Sequence, residues 1–375
     1  MRTRTAVPLA RPLTGPEELE EVRSVLESGQ LSQGPKVEQF ERMVAELTGA
    51  RHAFAASSCT TALHLALVAL GIGPGDEVLV PDFTFPATAN VVVQQGAVPV
   101  LVDVDLDTYN VDPSALAHHL TARTRAIIPV DLFGLAADMD PVMAFAAEHG
   151  LAVLEDAACA LGASYNGRPC GVLGDVGCLS FHPRKVVTTG EGGMVLTNRD
   201  DLAERLRLLR SHGGVRREQR FTFEDAGFNY RLSDVAAALG VAQMRRLPQM
   251  TADRRRLASE LRAGLAGVRG ITVPPEPAWG GHVYQAFVAL VAPGVDRDAF
   301  IGRLRAMGVE ATLGTYALHA QPFFGRAFGY RPGALPRSHD AFLRAVALPL
   351  FPQMTEADVE AVLESAGEAL AQSRT

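Results

Sequence analysis

FHPRKVVTTGEGG, Phe181 to Gly193, joins two candidate strands, Val176–Phe181 and Gly193–Thr197, and carries a lysine in a chain that scarcely uses lysine. Of 35 basic residues only Lys36 and Lys185 are lysines; the others are arginines. Where positive charge alone is wanted this chain writes arginine, as it does at Arg184 directly before Lys185. A lysine amine can lose its proton, act as a nucleophile and form a Schiff base with an aldehyde, whereas a guanidinium stays charged. Lys185 therefore reads as a candidate for covalent chemistry, and Lys36 as a surface charge left by drift.

Five further β-branched or apolar runs precede the lysine segment: His52–Ala56, Glu77–Pro81, Val98–Val104, Ala126–Leu132 and Ala152–Asp156. Helical stretches such as Thr60–Leu70, Pro86–Gln94 and Met139–His149 alternate with them, the pattern of an α/β domain with a largely parallel sheet. Thr60–Leu70 is apolar almost all round, which predicts a helix packed inside the domain. A helix over Asp234–Arg246 is expected to stop before Pro248, with a second one near Ala252–Leu265. From Tyr284 onward the pattern changes to a few strands and helices, ending in Glu356–Ala371. The division expected is a large α/β domain over residues 1–250, entry segment included, and a smaller α+β domain over 251–375.

Composition bounds the function. Hydrophobic residues make up 47% and charged residues 21% of 375, the profile of a globular protein with a large core. A net charge of −7 argues against a general nucleic-acid surface, and runs such as Arg254–Arg256 read as solvated helix faces. No apolar run approaches the ~20 residues of a membrane span, and Pro8 and Pro12 break any signal-peptide core. Cys59, Cys159, Cys170 and Cys178 lack paired CxxC spacing, so no metal site is expected and free thiols in a cytoplasmic protein are the default.

Three more stretches carry chemistry. VLEDAACALGA, Val153 to Ala163, puts Asp156 at the carboxyl end of an apolar strand, where open α/β sheets collect ligands. A carboxylate there can keep a pyridine nitrogen protonated, as pyridoxal phosphate (PLP) requires; an ordinary helix cap is the plainer reading. ASSCTTALHLAL, Ala56 to Leu67, is a strand-to-helix turn crowded with hydroxyls, suited to cradle a phosphate or simply to cap a helix. DFTFPATAN, Asp82 to Asn90, offers Phe83 and Phe85 beside a strand end, one of which could stack on a flat cofactor.

Together these stretches resemble the PLP-dependent nucleotide-sugar aminotransferases of the DegT family over nearly the whole chain. The likeness runs from SGQLSQGPKVEQFE (Ser28–Glu41) through GIGPGDEVLVPDFTF, LFGLAADMD, LEDAACALGA, SFHPRKVVTTGEGGM, LLRSHGG and GFNYRLSDVAAALG to LPLFPQMTEADV. It implies fold type I: a mainly parallel seven-stranded sheet in the large domain and a smaller C-terminal α+β domain. It also implies that Lys185 forms the Schiff base with PLP and then moves protons. Asp156 would pair with the pyridine nitrogen, Ser180 and the Cys59–Thr60 turn would hold the phosphate, and Phe85 would cover the ring. Asn229 would reach the phosphate of a neighbouring subunit, making a homodimer part of the site. Burial by itself would depress the Lys185 pKa.

The chain departs from the family where Cys59 replaces the usual glycine, Cys159 replaces glutamine or histidine, and Asp131 replaces a histidine. Cys159 stays a candidate cofactor neighbour, and Asp131 is given no role. LGTYALHAQPFFG, Leu313 to Gly325, matches a substrate-facing stretch, so Tyr316 and His319 are candidates for sugar or nucleotide, with a satisfied core histidine as the plainer reading. Ser32 and Gln33 are similar candidates, and Trp279 reads as packing. The expected reaction moves nitrogen from an amino acid, glutamate by resemblance, to a nucleotide-linked keto-sugar. A keto-cyclitol acceptor, a PLP-dependent sugar dehydratase and a non-catalytic regulator are the alternatives. Retention of Lys185 and the absence of cluster-type cysteine spacing disfavour the dehydratase, and retention of Lys185, Asp156 and Ser180 disfavours the regulator.

Overall fold

The computed structural model describes residues 6–218 and 220–372; Arg2 and Arg4 of the N-terminal segment lie outside them. Seven strands form the main sheet: β1 (His52–Ala56), β2 (Glu77–Pro81), β3 (Val98–Val102), β4 (Thr124–Ile127), β5 (Ala152–Asp156), β6 (Val176–Ser180) and β7 (Gly193–Thr197). Their order is β1-β7-β6-β5-β4-β2-β3. The strands from β6 to β3 are parallel, while β7 runs antiparallel to both β6 and β1.

Both faces of the sheet are covered, which is why its strands read as continuous apolar runs. Val78 and Val80 of β2 join one core with helices α3 (Cys59–Leu70), α4 (Ala87–Gln94) and α6 (Asp200–Arg210). Leu79 between them points into the other core, with α2 (Pro35–Thr48), α5 (Met139–His149) and the first half of α7 (Asp234–Leu265). The period of two along the strand thus divides one run between two layers. α3 buries Ala62, Leu63, Leu65, Ala66, Leu67 and Ala69, as its all-round apolar surface predicts. α1 (Pro16–Ser28) packs beside α2 on α7.

The helix expected to break at Pro248 does not break: α7 runs 32 residues through it. A proline there costs a hydrogen bond, but Met244, Leu247, Met250, Thr251, Arg254 and Leu257 are buried on both sides, and that packing carries the helix across. Residue 250 therefore falls inside an element shared by both halves. The C-terminal half of α7 joins a third core with Phe287, Phe300 and Val362, around a four-stranded sheet of Ile271–Thr272, Phe287–Val291, Ala345–Leu348 and Thr312–Leu313. Val7 belongs to this third core and pairs with Val309, so the N-terminal segment is tied to the smaller unit at that point.

Candidate active site

Strand register assembles the site. Ala56 of β1 pairs with Gly193 of β7, and Gly193 with Ser180 of β6, so the three lie in a row across one end of the sheet. Asp156 ends β5 beside them, opposite Cys178. Past Ala56 the chain turns into α3, where the Ser58 hydroxyl caps the helix by accepting the Thr61 amide at 3.1 Å. The Ser57–Thr60 turn, Ser180 and Asp156 therefore share one sheet edge.

The Phe181–Gly192 loop hangs Lys185 over that edge. The Thr189 amide donates to the Phe181 carbonyl at 2.9 Å, the Thr188 hydroxyl donates to the same carbonyl at 3.0 Å, and the Phe181 amide returns to the Gly192 carbonyl. Gly190 has φ +81°, and a Cβ on Gly192 would collide with the Thr189 hydroxyl. A Cβ on Gly193 would overlap the Ser58 carbonyl and the Cys59 amide, so only glycine lets β7 pass so near the opening of α3. The TTGEGG that follows the lysine is thus a fold-back and a close approach. Gln285 donates to the Arg184 carbonyl at 2.7 Å, tying the smaller unit to the same loop.

Asp156 is 4% exposed. Burial raises its pKa; the Thr88 hydroxyl (2.8 Å), the Ala158 amide (3.2 Å) and the Lys185 charge oppose it. Lys185 Nζ lies 3.0 Å from Cys159 Sγ. Burial pulls the Lys185 pKa down, but Cys159, Cys59 and Asp156 outweigh it, so the amine sits above the ordinary lysine range. That reverses the sign expected from burial by itself. Cys59 is buried, and desolvation, with Asp156 and Cys159, pushes its thiol up.

The two phenylalanines separate cleanly. Phe83 is fully buried against Tyr109 and Phe133, whereas the Phe85 ring is 63% exposed at the start of α4, the helix that carries Thr88. Tyr316 pairs with Thr84, which brings the smaller unit's LGTY segment beside Phe85, and the Tyr316 side chain is part-exposed. His319 is placed differently: it is buried, its Nδ1 2.6 Å from Asp82, and its Nε2 accepts the Gly333 amide. It is a satisfied interior histidine in this chain. Ser32 pairs with Ser233 and Asn229 with Ser211 at the exposed rim, and Gln33 is exposed with φ 51°. Among the described residues, no hydrogen bond joins these three to the Lys185 group. Lys36 is no leftover charge; it pairs with Glu21, which also binds Arg245. Trp279 packs against Tyr165, ring centroids 5.2 Å apart. Sequence reading missed Thr88, whose only signal is a threonine two positions into a helix that follows the Phe85 segment.

A family model described as the DegT/DnrJ/EryC1/StrS aminotransferase family matches residues 12–366, and the chain belongs to that family. The Bacillus subtilis spore coat polysaccharide biosynthesis protein SpsC is 39% identical over 96% of each chain. GDP-perosamine synthase of Caulobacter vibrioides is 41% identical over 90% of this chain and 91% of that protein. The crystal structure of the aminotransferase TlmJ from Streptoalloteichus hindustanus superposes with a TM-score of 0.93 at 35% identity, covering 98% of this chain and all of that one. The fold is fold type I and the protein is a PLP-dependent aminotransferase; solved relatives include PLP and PMP forms. No helix among the described residues is long and apolar enough to cross a membrane.

Proposed function

We propose that this enzyme moves an amino group from an amino acid, glutamate, to a nucleotide-linked keto-sugar. The observation that carries the reading is the convergence of Lys185, Asp156, Ser180 and the opening of α3 at one sheet edge. The residues present fit PLP. Ser180, at the end of β6, has no hydroxyl partner among the described residues, Asp156 is a buried carboxylate, and the exposed Phe85 ring is an apolar wall without a cover. When bound, PLP supplies an aldehyde carbon and a ring that withdraws electrons from the reacting carbon.

Ser180, the Thr60 hydroxyl and the first amides of α3 would hold the phosphate, favoured by the positive end of the helix. The Asp156 carboxylate would face the ring nitrogen and keep it protonated, Phe85 would cover one ring face, and Cys59 and Cys159 would border the site. Lys185 is the covalent anchor. Released by substrate amine, its Nζ would take the proton from the carbon bearing the donor nitrogen, and in the reverse half-reaction protonate the acceptor carbon. Tyr316, Ser32 and Gln33 would line the acceptor side; His319, held inside by Asp82, would act only through that packing.

The acceptor reading is supported by the similarity to GDP-perosamine synthase. A homodimer with shared sites is part of the proposal. It is supported by the exposed Asn229 and by the neighbouring hairpin Gly214–Arg217 and Arg220–Phe223, whose Phe221 and Phe223 rings stand in solvent in the single chain. The test is borohydride reduction of PLP-loaded protein with peptide mapping, then single-turnover reaction of the aminated form with a panel of keto-sugar nucleotides and keto-cyclitols. A pyridoxyl label on Lys185 and consumption of a nucleotide sugar are expected. A label elsewhere, or cyclitols as the only acceptors, would sink the reading.

A further inference from the structure

Cys159 differs from the other three cysteines in two ways. Cys59, Cys170 and Cys178 are buried, whereas Cys159 is partly exposed on the site side. Its sulfur also lies within hydrogen-bonding distance, 3.0 Å, of the amine on which the proposed chemistry depends. A glutamine or histidine at position 159 could bond the same amine but could not be oxidised to bond it covalently. The lysine sits at the end of a flexible four-carbon stem on the 181–192 loop, and Cys159 follows β5 directly, so sulfur and nitrogen can close the remaining gap without moving a strand.

We propose that Cys159 and Lys185 form an oxidation-sensitive pair, in which peroxide links sulfur to nitrogen whenever the amine is not engaged by cofactor. The thiolate of Cys159 attacks one peroxide oxygen and the O–O bond breaks; the departing hydroxide takes the proton of the Lys185 ammonium. This leaves a sulfenic acid beside a neutral amine. The Lys185 nitrogen then attacks the sulfur, the S–O bond breaks, and the hydroxyl leaves as water with a proton from nitrogen. Sulfur is oxidised by two electrons, peroxide is reduced to two waters, and the product is a sulfenamide that a dithiol reverses. The linkage needs only these two side chains; its consequence, a lysine withdrawn from PLP, rests on the role proposed for Lys185.

The experiment treats cofactor-stripped protein with peroxide, digests it without reductant and maps the peptides by mass. Wild type and Cys59→Ser are expected to give a joined pair of peptides carrying Cys159 and Lys185, two hydrogens lighter than their sum and released by dithiothreitol. Cys159→Ser gives none. Protein saturated with PLP beforehand gives several-fold less, and oxidised protein regains PLP binding only after dithiothreitol. Cys159 trapped by dimedone with the Lys185 peptide unlinked, or a Cys59–Cys159 disulfide in its place, overturns the proposal. Peptide mapping reads the linkage even if Lys185 proves not to be the PLP anchor.

Discussion

The role proposed for Asp156 needs a charged carboxylate where water barely reaches. Burial pushes toward the neutral acid, and the Thr88 hydroxyl, donating at 2.8 Å, is the main contact pushing back. Thr88→Val keeps the shape and removes that donor, and a hydrogen bond to a charged group contributes ~1.5–3 kcal/mol. The amino-donor half-reaction should slow by roughly tenfold, and its acid limb should move to higher pH, because the carboxylate then needs more alkaline solution to form. Single-turnover loss of cofactor absorbance from pH 5 to 9 measures both. Asp156→Asn, with no charge at any pH, should cost about a hundredfold or more and abolish the limb. If Thr88→Val leaves the pH profile unmoved, Thr88 only packs. Lys185 and Asp156 were legible as candidates because one is a rare lysine and the other a carboxylate at a strand end, and Ser180 only through the family resemblance. Thr88 was not, because the residue it serves is 68 positions away and nothing local distinguishes it from any helix threonine.

Among elements, the join between β7 and α3 is the most demanding. Gly193 has no room for a Cβ against Ser58 and Cys59, and the nearest atoms are backbone, which cannot rotate aside. Gly193→Ala should push β7 off the opening of α3, cost ~1–3 kcal/mol by overpacking, and weaken PLP retention more than it weakens folding. Thermal melts with and without PLP, together with cofactor release on dialysis, separate the two effects; loss of stability with retention intact would place the strain elsewhere. All seven sheet strands could be read from sequence because each is a short apolar run bounded by turn residues. Ends shifted by up to five residues: the run Ala126–Leu132 is a strand only over Thr124–Ile127, since Val130 is already bridging to Asp156 and Asp131 bonds onward. Pro248 misled because local proline cost was weighed without the packing on α7 that exceeds it.

For the whole molecule, the feature with the clearest pH consequence is a carboxyl pair buried beside the site. Asp131 and Glu155 are fully buried with Cys170, a carboxylate oxygen of each and the thiol sulfur lying within 4.8 Å of one another. Glu155 accepts the Gly171 amide at 2.6 Å and the Leu173 amide at 2.7 Å, which suits an anion. Asp131 accepts the Ala137 amide on one oxygen and leaves the other without a donor, which suits an acid that carries the pair's proton toward Glu155. Burial raises the Asp131 pKa well above the carboxylate range, and the Glu155 charge raises it further. Composition could not reveal this, because nothing in a count of 42 acidic residues says which two are brought together. The sign of the consequence is fixed by linkage. The unfolded chain releases the Asp131 proton near the usual carboxylate pKa, and the folded chain holds it until its raised pKa is passed. Stability conferred by the protonated pair is therefore complete below the unfolded value and declines as pH rises through that window, by up to ~1.4 kcal/mol per pH unit. Asp131→Asn has no proton to hold, and its amide can donate to Glu155 as the acid does. Its melting temperature should exceed that of wild type by a margin that widens from pH 5 to pH 8, while wild type falls more steeply. Parallel curves for the two proteins would mean that Asp131 is ionised in the fold and that the proton lies elsewhere.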